Sequence, residues 1–100
     1  MFIVIVHHHV RPGMTDKALA RIDGNGDRMA DVPGFLFRHR MVAKNDAMII
    51  STVTGWTQEA AFDMWQKIKA GLPDTGESPY VRVETERHNV ERSQMGALAR

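Results

Sequence analysis

The fold of this chain is decided by residues 48–70, whose sequence is MIISTVTGWTQEAAFDMWQKIKA. The first part of the stretch is rich in β-branched residues, which favour a pleated, half-buried strand. In the second part Thr57 is suited to cap a helix, Glu59 falls in its first turn, and Lys67 and Lys69 fall in its last turn. These residues complement the helix dipole at both ends. The stretch therefore predicts a strand followed directly by a helix.

Aromatic residues are concentrated in the same stretch. Trp56 stands where the strand meets the helix, and Phe62, Trp65 and Ile68 recur along the helix at a spacing that gives one apolar face. The residues alone leave two interpretations open, because these rings could wall an aromatic pocket or fill the core.

The rest of the chain supplies three more strands and one more helix. Period-2 alternation predicts strands over residues 2–10, 35–42 and 80–90. Thr15 is suited to cap a helix between the first two of these strands. Gly24 and Gly26 weaken that helix by about 1 kcal/mol each relative to alanine, so we expect a kink or fraying there. A second interpretation is that these glycines make room for a flat ligand.

The order of elements is therefore β-α-β-β-α-β. This order predicts an α+β, ferredoxin-like fold, in which two helices cover one face of a four-stranded antiparallel sheet. We expect one domain over residues 1–90 and a polar C-terminal tail over residues 91–100.

Composition narrows the class of protein. The chain has 100 residues, of which 43% are hydrophobic and 25% charged, and its net charge is +1. This balance argues against a nucleic-acid or membrane partner. There is no cysteine, which excludes disulfides and thiolate sites and fits a reducing compartment. The apolar start lacks the basic residues of a signal peptide, so we expect a cytoplasmic protein.

His8 is the titratable residue of greatest interest. Strand alternation places it with Val4 and Val6 on the face that the helices cover. Because the ordinary pKa of histidine lies near 6.5, His8 could act there as a base toward a phenol or hydroquinone. The alternative is a histidine that simply hydrogen-bonds to a neighbouring group.

Alternation places His7 and His9 on the opposite face, together with Ile3 and Ile5. A His-x-His pair can hold a metal, but it can also belong to an interface, and we expect no bound metal. The apolar residues of this face need cover, and a second copy of the chain would provide it. We therefore expect a homodimer.

Three motifs are similar in order and spacing to a known family. They are Pro12-Gly13, Val32-Pro33-Gly34-Phe35 and the run from Gly55 to Phe62, GWTQEAAF. Together they resemble the antibiotic biosynthesis monooxygenase family, and the resemblance extends to about Val90. It implies a dimeric α/β barrel with a pocket in each subunit between the sheet and the helices. Members include cofactor-free oxygenases of quinol-type substrates and heme-degrading relatives.

The resemblance also implies roles for individual residues. Trp56 matches a pocket-lining tryptophan of the quinol oxygenases, whereas Thr52 and Phe62 stand where those enzymes have asparagine and tyrosine. Trp65 matches a tryptophan of the heme-degrading relatives, whereas Val6 stands where those relatives have asparagine. The histidine that would bind heme iron has no counterpart on the second helix.

The sequence thus predicts a small monooxygenase that acts on an aromatic or quinol substrate and O2 without a cofactor. His8 is its expected base. Its expected substrate contacts are Trp56, Trp65, Phe62, Thr52, Val6 and Arg38. Arg38 is included because it could contact an anionic substrate, although it could equally belong to a solvated, salt-bridged face. Heme binding or degradation is one alternative, and a non-catalytic dimeric module for small-ligand binding or stress response is another.

Overall fold

The computed structural model describes residues 1–73 and 76–97. The elements are β1 (Phe2–Val10), α1 (Thr15–Met29), β2 (Phe35–Ala43), β3 (Asp46–Trp56), α2 (Glu59–Ala70) and β4 (Tyr80–Asn89). The predicted order is confirmed, and the predicted bounds of β1, β2 and β4 agree within one residue, whereas β3 begins at Asp46, two residues before the predicted start at Met48. In the described part of the chain, no helix is long and apolar enough to cross a membrane.

The four strands form one antiparallel sheet in the order β2-β3-β1-β4. This is the ferredoxin-like arrangement, in which β1 lies between β3 and β4. Val6 is opposite Thr52 on one side and Thr85 on the other, so these three residues share a face. His7 is opposite Ser51 and Glu84 on the other face. The sheet therefore has a helix-covered face and an open face, as the alternation predicts.

The core under the helices consists of two separate clusters. The larger cluster lies at the Phe2–Trp56 end of the sheet and contains Phe2, Val4, Met29, Val32, Trp56, Ala61, Phe62 and Trp65. The smaller cluster lies at the other end and contains Val10, Ala18, Ile22 and Ile50. The middle of the sheet, between the clusters, thus carries side chains that belong to neither.

The helix ends differ from the predictions. Met14 and Gln58 occupy the N-cap positions, and neither makes a side-chain cap hydrogen bond, so the predicted caps Thr15 and Thr57 are wrong. Tertiary contacts hold both helices in place of a local cap, as is common for helices in proteins. The predicted charges of α2 are confirmed, with Glu59 in its first turn and lysines in its last.

Two further expectations for the helices are wrong. Helix α1 runs without interruption through Gly24 and Gly26, because it packs into the core through Ala18 and Ile22. On α2, Ile68 is 42% exposed rather than buried with Phe62 and Trp65. It lies beyond the edge of the larger core cluster.

Candidate functional site

The side chains between the two core clusters include several of the predicted site residues. Val6 and His8 come from β1, Thr52 from β3 and Arg38 from β2, and all four lie on the helix-covered face. Thr52 is buried, whereas the other three are partly exposed. The helix-covered face of the sheet thus carries an imidazole, a hydroxyl and a guanidinium outside the two core clusters.

His8 is held in one tautomer. Its Nδ1 lies 2.9 Å from the carbonyl oxygen of Ile50. Because a carbonyl only accepts hydrogen bonds, Nδ1 carries the proton and Nε2 keeps its lone pair. Burial lowers the pKa of His8, and the nearby charges of Arg38 and Lys69 lower it further, although the hydrogen bond to Ile50 opposes the shift. His8 is therefore neutral at pH 7, as a base must be.

Tyr80 is a neighbour of His8 that the sequence interpretation missed. The two rings lie 4.9 Å apart, and burial raises the pKa of the Tyr80 phenol. Simple alternation would place Tyr80 with Arg82 and Glu84 on the open face. The register between β1 and β4 shifts after His9, so that Val10 lies opposite Tyr80. The extra residue on β4 turns Tyr80 toward the helices.

A cavity of about 580 Å³ lies between α1 and the end of α2. Its lining combines cationic side chains with small and apolar ones: Lys17, Ala20, Arg21, Gly24, Asn25, Arg28, Lys69, Leu72 and Pro73. Its volume is typical of small-ligand sites. None of the seven predicted site residues lines it. His8 is nevertheless within electrostatic reach, since Lys69 affects its pKa.

The cationic side of α1 has a sequence signal. Lys17, Arg21 and Arg28 are separated by four and seven residues, the spacing that places side chains on one face of a helix. That pattern could have predicted the cationic lining before the structure was available.

Arg38 lies beside a second cavity of about 490 Å³, which Asp23, Gly26, Asp27 and Arg40 also line. Arg40 forms an ion pair with Asp23, at 2.6 Å from Nη1 to Oδ2. A Cβ on Gly26 would lie 2.5 Å from Nη1 of Arg38. Gly26 thus makes room for a guanidinium of this chain, so the predicted accommodation of a flat ligand is wrong at that position.

The three predicted aromatic walls are part of the larger core cluster. Trp56 is fully buried, and its Nε1 donates a hydrogen bond to Oγ1 of Thr54 at 2.8 Å. Phe62 packs edge-on against Trp56, with 5.7 Å between the ring centroids, and Trp65 is 2% exposed. Packing of this kind stabilises the fold. Contact of these rings with a substrate stays a prediction.

The open face of the sheet carries histidines paired with carboxylates. Nε2 of His7 lies 2.8 Å from Glu86, and its Nδ1 lies 2.7 Å from Oγ of Ser51. His9 bonds to Glu84 in the same way. These hydrogen bonds lower the pKa of both glutamates. Within residues 1–73 and 76–97, no group of three or more histidine or acidic side chains is arranged to hold a metal.

The antiparallel sheet and the two helices on one face define a ferredoxin-like α+β protein, and the cavity between α1 and the end of α2 has the volume of a small-ligand site. The family model for antibiotic biosynthesis monooxygenases matches residues 1–70. The chain therefore belongs to the antibiotic biosynthesis monooxygenase family. A comparison with curated proteins gave no match.

Solved structures of the same fold include two with contrasting chemistry. One is the heme-degrader MhuD of Mycobacterium tuberculosis with two hemes bound in its active site. It is 17% identical, its match covers 95% of this chain and 100% of MhuD, and the TM-score is 0.75. The other is a mutant of SnoaB, a cofactor-independent oxygenase of Streptomyces nogalater. It is 11% identical, with 92% and 94% of the two chains covered and a TM-score of 0.71.

Proposed function

We propose that this protein is a cofactor-independent monooxygenase that oxidises an aromatic or quinol-type substrate with O2. The observation that carries the proposal is His8, whose Nδ1 hydrogen bond to Ile50 leaves Nε2 unprotonated on the helix-covered face. His8 takes the phenolic proton of the substrate and so makes an electron-rich anion. Membership of the monooxygenase family supports the reaction class.

The substrate itself supplies the electrons for this reaction. Its carbanion bonds to O2 and gives a hydroperoxide after protonation. Loss of one water then leaves a carbonyl, so that a methylene carbon and one O2 become a carbonyl carbon and one H2O. The base has to hold and return a proton, and a neutral imidazole near pH 7 can do both. Exclusion of water by the aromatic core, with Trp56, Phe62 and Trp65, protects the anion.

Heme degradation is the second candidate, because structures of heme-bound MhuD share the fold. The residues that line the cavity between α1 and the end of α2 do not provide a ligand for heme iron. Among the described residues, its polar lining consists of lysines, arginines and the amide of Asn25, none of which is a usual axial ligand. Neither helix carries a histidine. We expect no saturable Soret band when the protein is titrated with heme, and a saturable band at one heme per chain would favour this candidate.

The base is tested by His8→Ala in an oxygen-electrode assay with 1,4-dihydroxynaphthalene. We expect oxygen uptake to fall by about 10²–10⁴-fold, the usual contribution of general base catalysis. In the unsubstituted protein, uptake should fall on acidification along a limb centred below the ordinary histidine pKa of about 6.5, because burial lowers the pKa of His8 and the protonated ring is no base.

His39→Ala is the matched control, since His39 lies on the exposed β2 edge, opposite Val53 on the open face. It should leave uptake unchanged. Unchanged turnover in a folded His8→Ala protein, or in His8→Gln, would remove His8 from the mechanism. If no hydroquinone of a broad panel is oxidised, the protein is a non-catalytic ligand-binding module.

We also propose that the protein is a homodimer that buries the open face of the sheet. Ile3, Ile5 and Val53 lie on that face and are only partly covered within one chain. Association through these residues would remove apolar surface from water, which is the main favourable contribution in most protein interfaces.

A further inference from the structure

The cavity between α1 and the end of α2 has a strongly positive lining. Four of the nine described residues that line it are cations, and no carboxylate from residues 1–73 or 76–97 lines it. Lys17 donates its ammonium hydrogen bond to the backbone carbonyl of Glu77, so that contact brings no negative charge. Arg28 and Lys69 form no ion pair with any residue of the described ranges. The cavity therefore concentrates positive charge in a protein whose net charge is only +1.

Several cations elsewhere in the fold, in contrast, are paired with carboxylates. Arg40 bonds to Asp23, and Arg87 bonds to Glu59 and Asp63. The difference arises on α1, whose acids and bases lie on different faces. Asp23 and Asp27 point to the second cavity, beside β2, whereas the α1 cations line the first. A concave surface with one sign of charge attracts ligands of the opposite charge.

The remainder of the lining suits a flat apolar body. Ala20 and Gly24 have little or no side chain, and Leu72 and Pro73 contribute aliphatic groups to the same lining. The cavity volume of about 580 Å³ is sufficient for a two- or three-ring compound. A lining that combines small, apolar and cationic residues is complementary to an aromatic ring system that bears an acidic group.

We propose that this cavity selects aromatic acids, and that the lining cations, Arg28 and Lys69 among them, hold the carboxylate of the substrate. The inference rests on the proposed function and names the class of its substrate, a phenol or hydroquinone with an ionised acid group. Charge-assisted hydrogen bonds from guanidinium and ammonium groups are the usual means of binding carboxylates.

The acid group has a consequence for the base. The positive charge of Lys69 lowers the pKa of His8. A carboxylate bound at Lys69 neutralises that charge and makes His8 a stronger base when the substrate is present. Substrate binding and base strength are thereby coupled through Lys69.

Equilibrium binding tests the inference without any turnover. The probes are 1-hydroxy-2-naphthoate and its methyl ester, which share one ring system and differ in charge, and the measurement is isothermal titration calorimetry. We expect the acid to bind at least about tenfold more tightly than the ester, and the preference to weaken as salt is added. In the double variant R28Q/K69Q the acid should lose most of this advantage, whereas the affinity for the ester should stay within about twofold.

The control variant K44Q/K67Q removes the same net charge from exposed positions outside the cavity. It should keep the preference for the acid. Equal affinity for acid and ester, or an unchanged preference in R28Q/K69Q, overturns the inference. Loss of the preference in K44Q/K67Q also overturns the inference, because binding would then depend on the overall charge of the protein. Competition by acetate at the concentration of the probe overturns it as well, because the site would then bind any carboxylate.

Oxygen uptake with 1,4-dihydroxy-2-naphthoate and 1,4-dihydroxynaphthalene separates the two proposals. Tight acid binding without uptake refutes the monooxygenase and leaves the aromatic-acid site standing. Equal uptake with both compounds, together with equal binding of the naphthoate and its ester, refutes the aromatic-acid site and leaves the monooxygenase standing.

Discussion

At the scale of single residues, Gly26 on α1 leaves space that the side chain of Arg38 occupies. The guanidinium of Arg38 crosses the helix at Gly26, where an added Cβ would lie 2.5 Å from Nη1 and 3.2 Å from Cζ. At Gly24 the corresponding distance to Nη1 of Arg28 is 3.6 Å, an ordinary contact. A side chain at Gly26 would therefore clash with Arg38, whereas a side chain at Gly24 would make only an ordinary contact.

Alanine substitutions at these two positions should have different effects on stability. We expect Gly24→Ala to raise the free energy of unfolding by up to about 1 kcal/mol, because alanine favours the helix. Gly26→Ala should gain less or lose stability, since Arg38 has to move. Urea denaturation measures both changes.

Removal of the guanidinium provides the control. In the background Arg38→Ala, the Gly26→Ala substitution should stabilise the protein about as much as Gly24→Ala does. Equal gains for both glycines in the unsubstituted protein would show that Arg38 is not held against the helix.

At the scale of elements, α2 holds the larger core cluster together through one face. Phe62 and Trp65 are buried on that face, whereas Met64 is 49% exposed on the other. Arg87 of β4 adds a contact over the ring of Phe62, at 4.9 Å from its Cζ to the ring centroid. The helix is therefore fixed to the sheet by packed rings more than by its ends, which lack side-chain caps.

Truncation of Trp65 measures how far this packing determines stability. We expect Trp65→Ala to lower the free energy of unfolding by about 3–5 kcal/mol, the usual cost of removing a large buried ring. Met64→Ala, one position away on the exposed side, should change it by less than about 0.5 kcal/mol. A cost below about 1 kcal/mol for Trp65→Ala would mean that its ring borders an open pocket instead of the core.

At the scale of the whole molecule, the two faces of the sheet have different surroundings. The helices and both cavities lie on one face, and the other carries half-exposed aliphatic side chains with the His7–Glu86 and His9–Glu84 pairs. A second copy that covers the open face leaves the cavities accessible. The proposed dimerisation and the proposed ligand binding would therefore use separate surfaces.

The oligomeric state tests this arrangement. Light scattering should report about twice the chain mass of 11.3 kDa. Val53→Asp places a charge on the open face and should yield a folded monomer, because a buried unpaired carboxylate is costly at an interface. Val42→Asp, at a position 57% exposed beside the helices, should remain dimeric. A monomeric unsubstituted protein would refute the proposed interface.

The sequence by itself determined the order of the elements and the two faces of the sheet. Hydrophobic period and turn residues are local properties, so residues 48–70 were sufficient to predict β3 and α2. The helix-covered position of His8 followed from alternation alone. The cap residues were predicted wrongly because Met14 and Gln58 take those positions in a chain already held by tertiary packing.

Only the tertiary structure decided what surrounds the candidate base. The tautomer of His8 depends on a carbonyl 42 residues away in the chain, and the position of Tyr80 depends on one extra residue in the pairing of β4 with β1. The cationic cavity is lined jointly by residues of α1 and by residues at and just beyond the end of α2, which are distant in the sequence. Each of these features depends on long-range register and packing, which local periodicity does not encode.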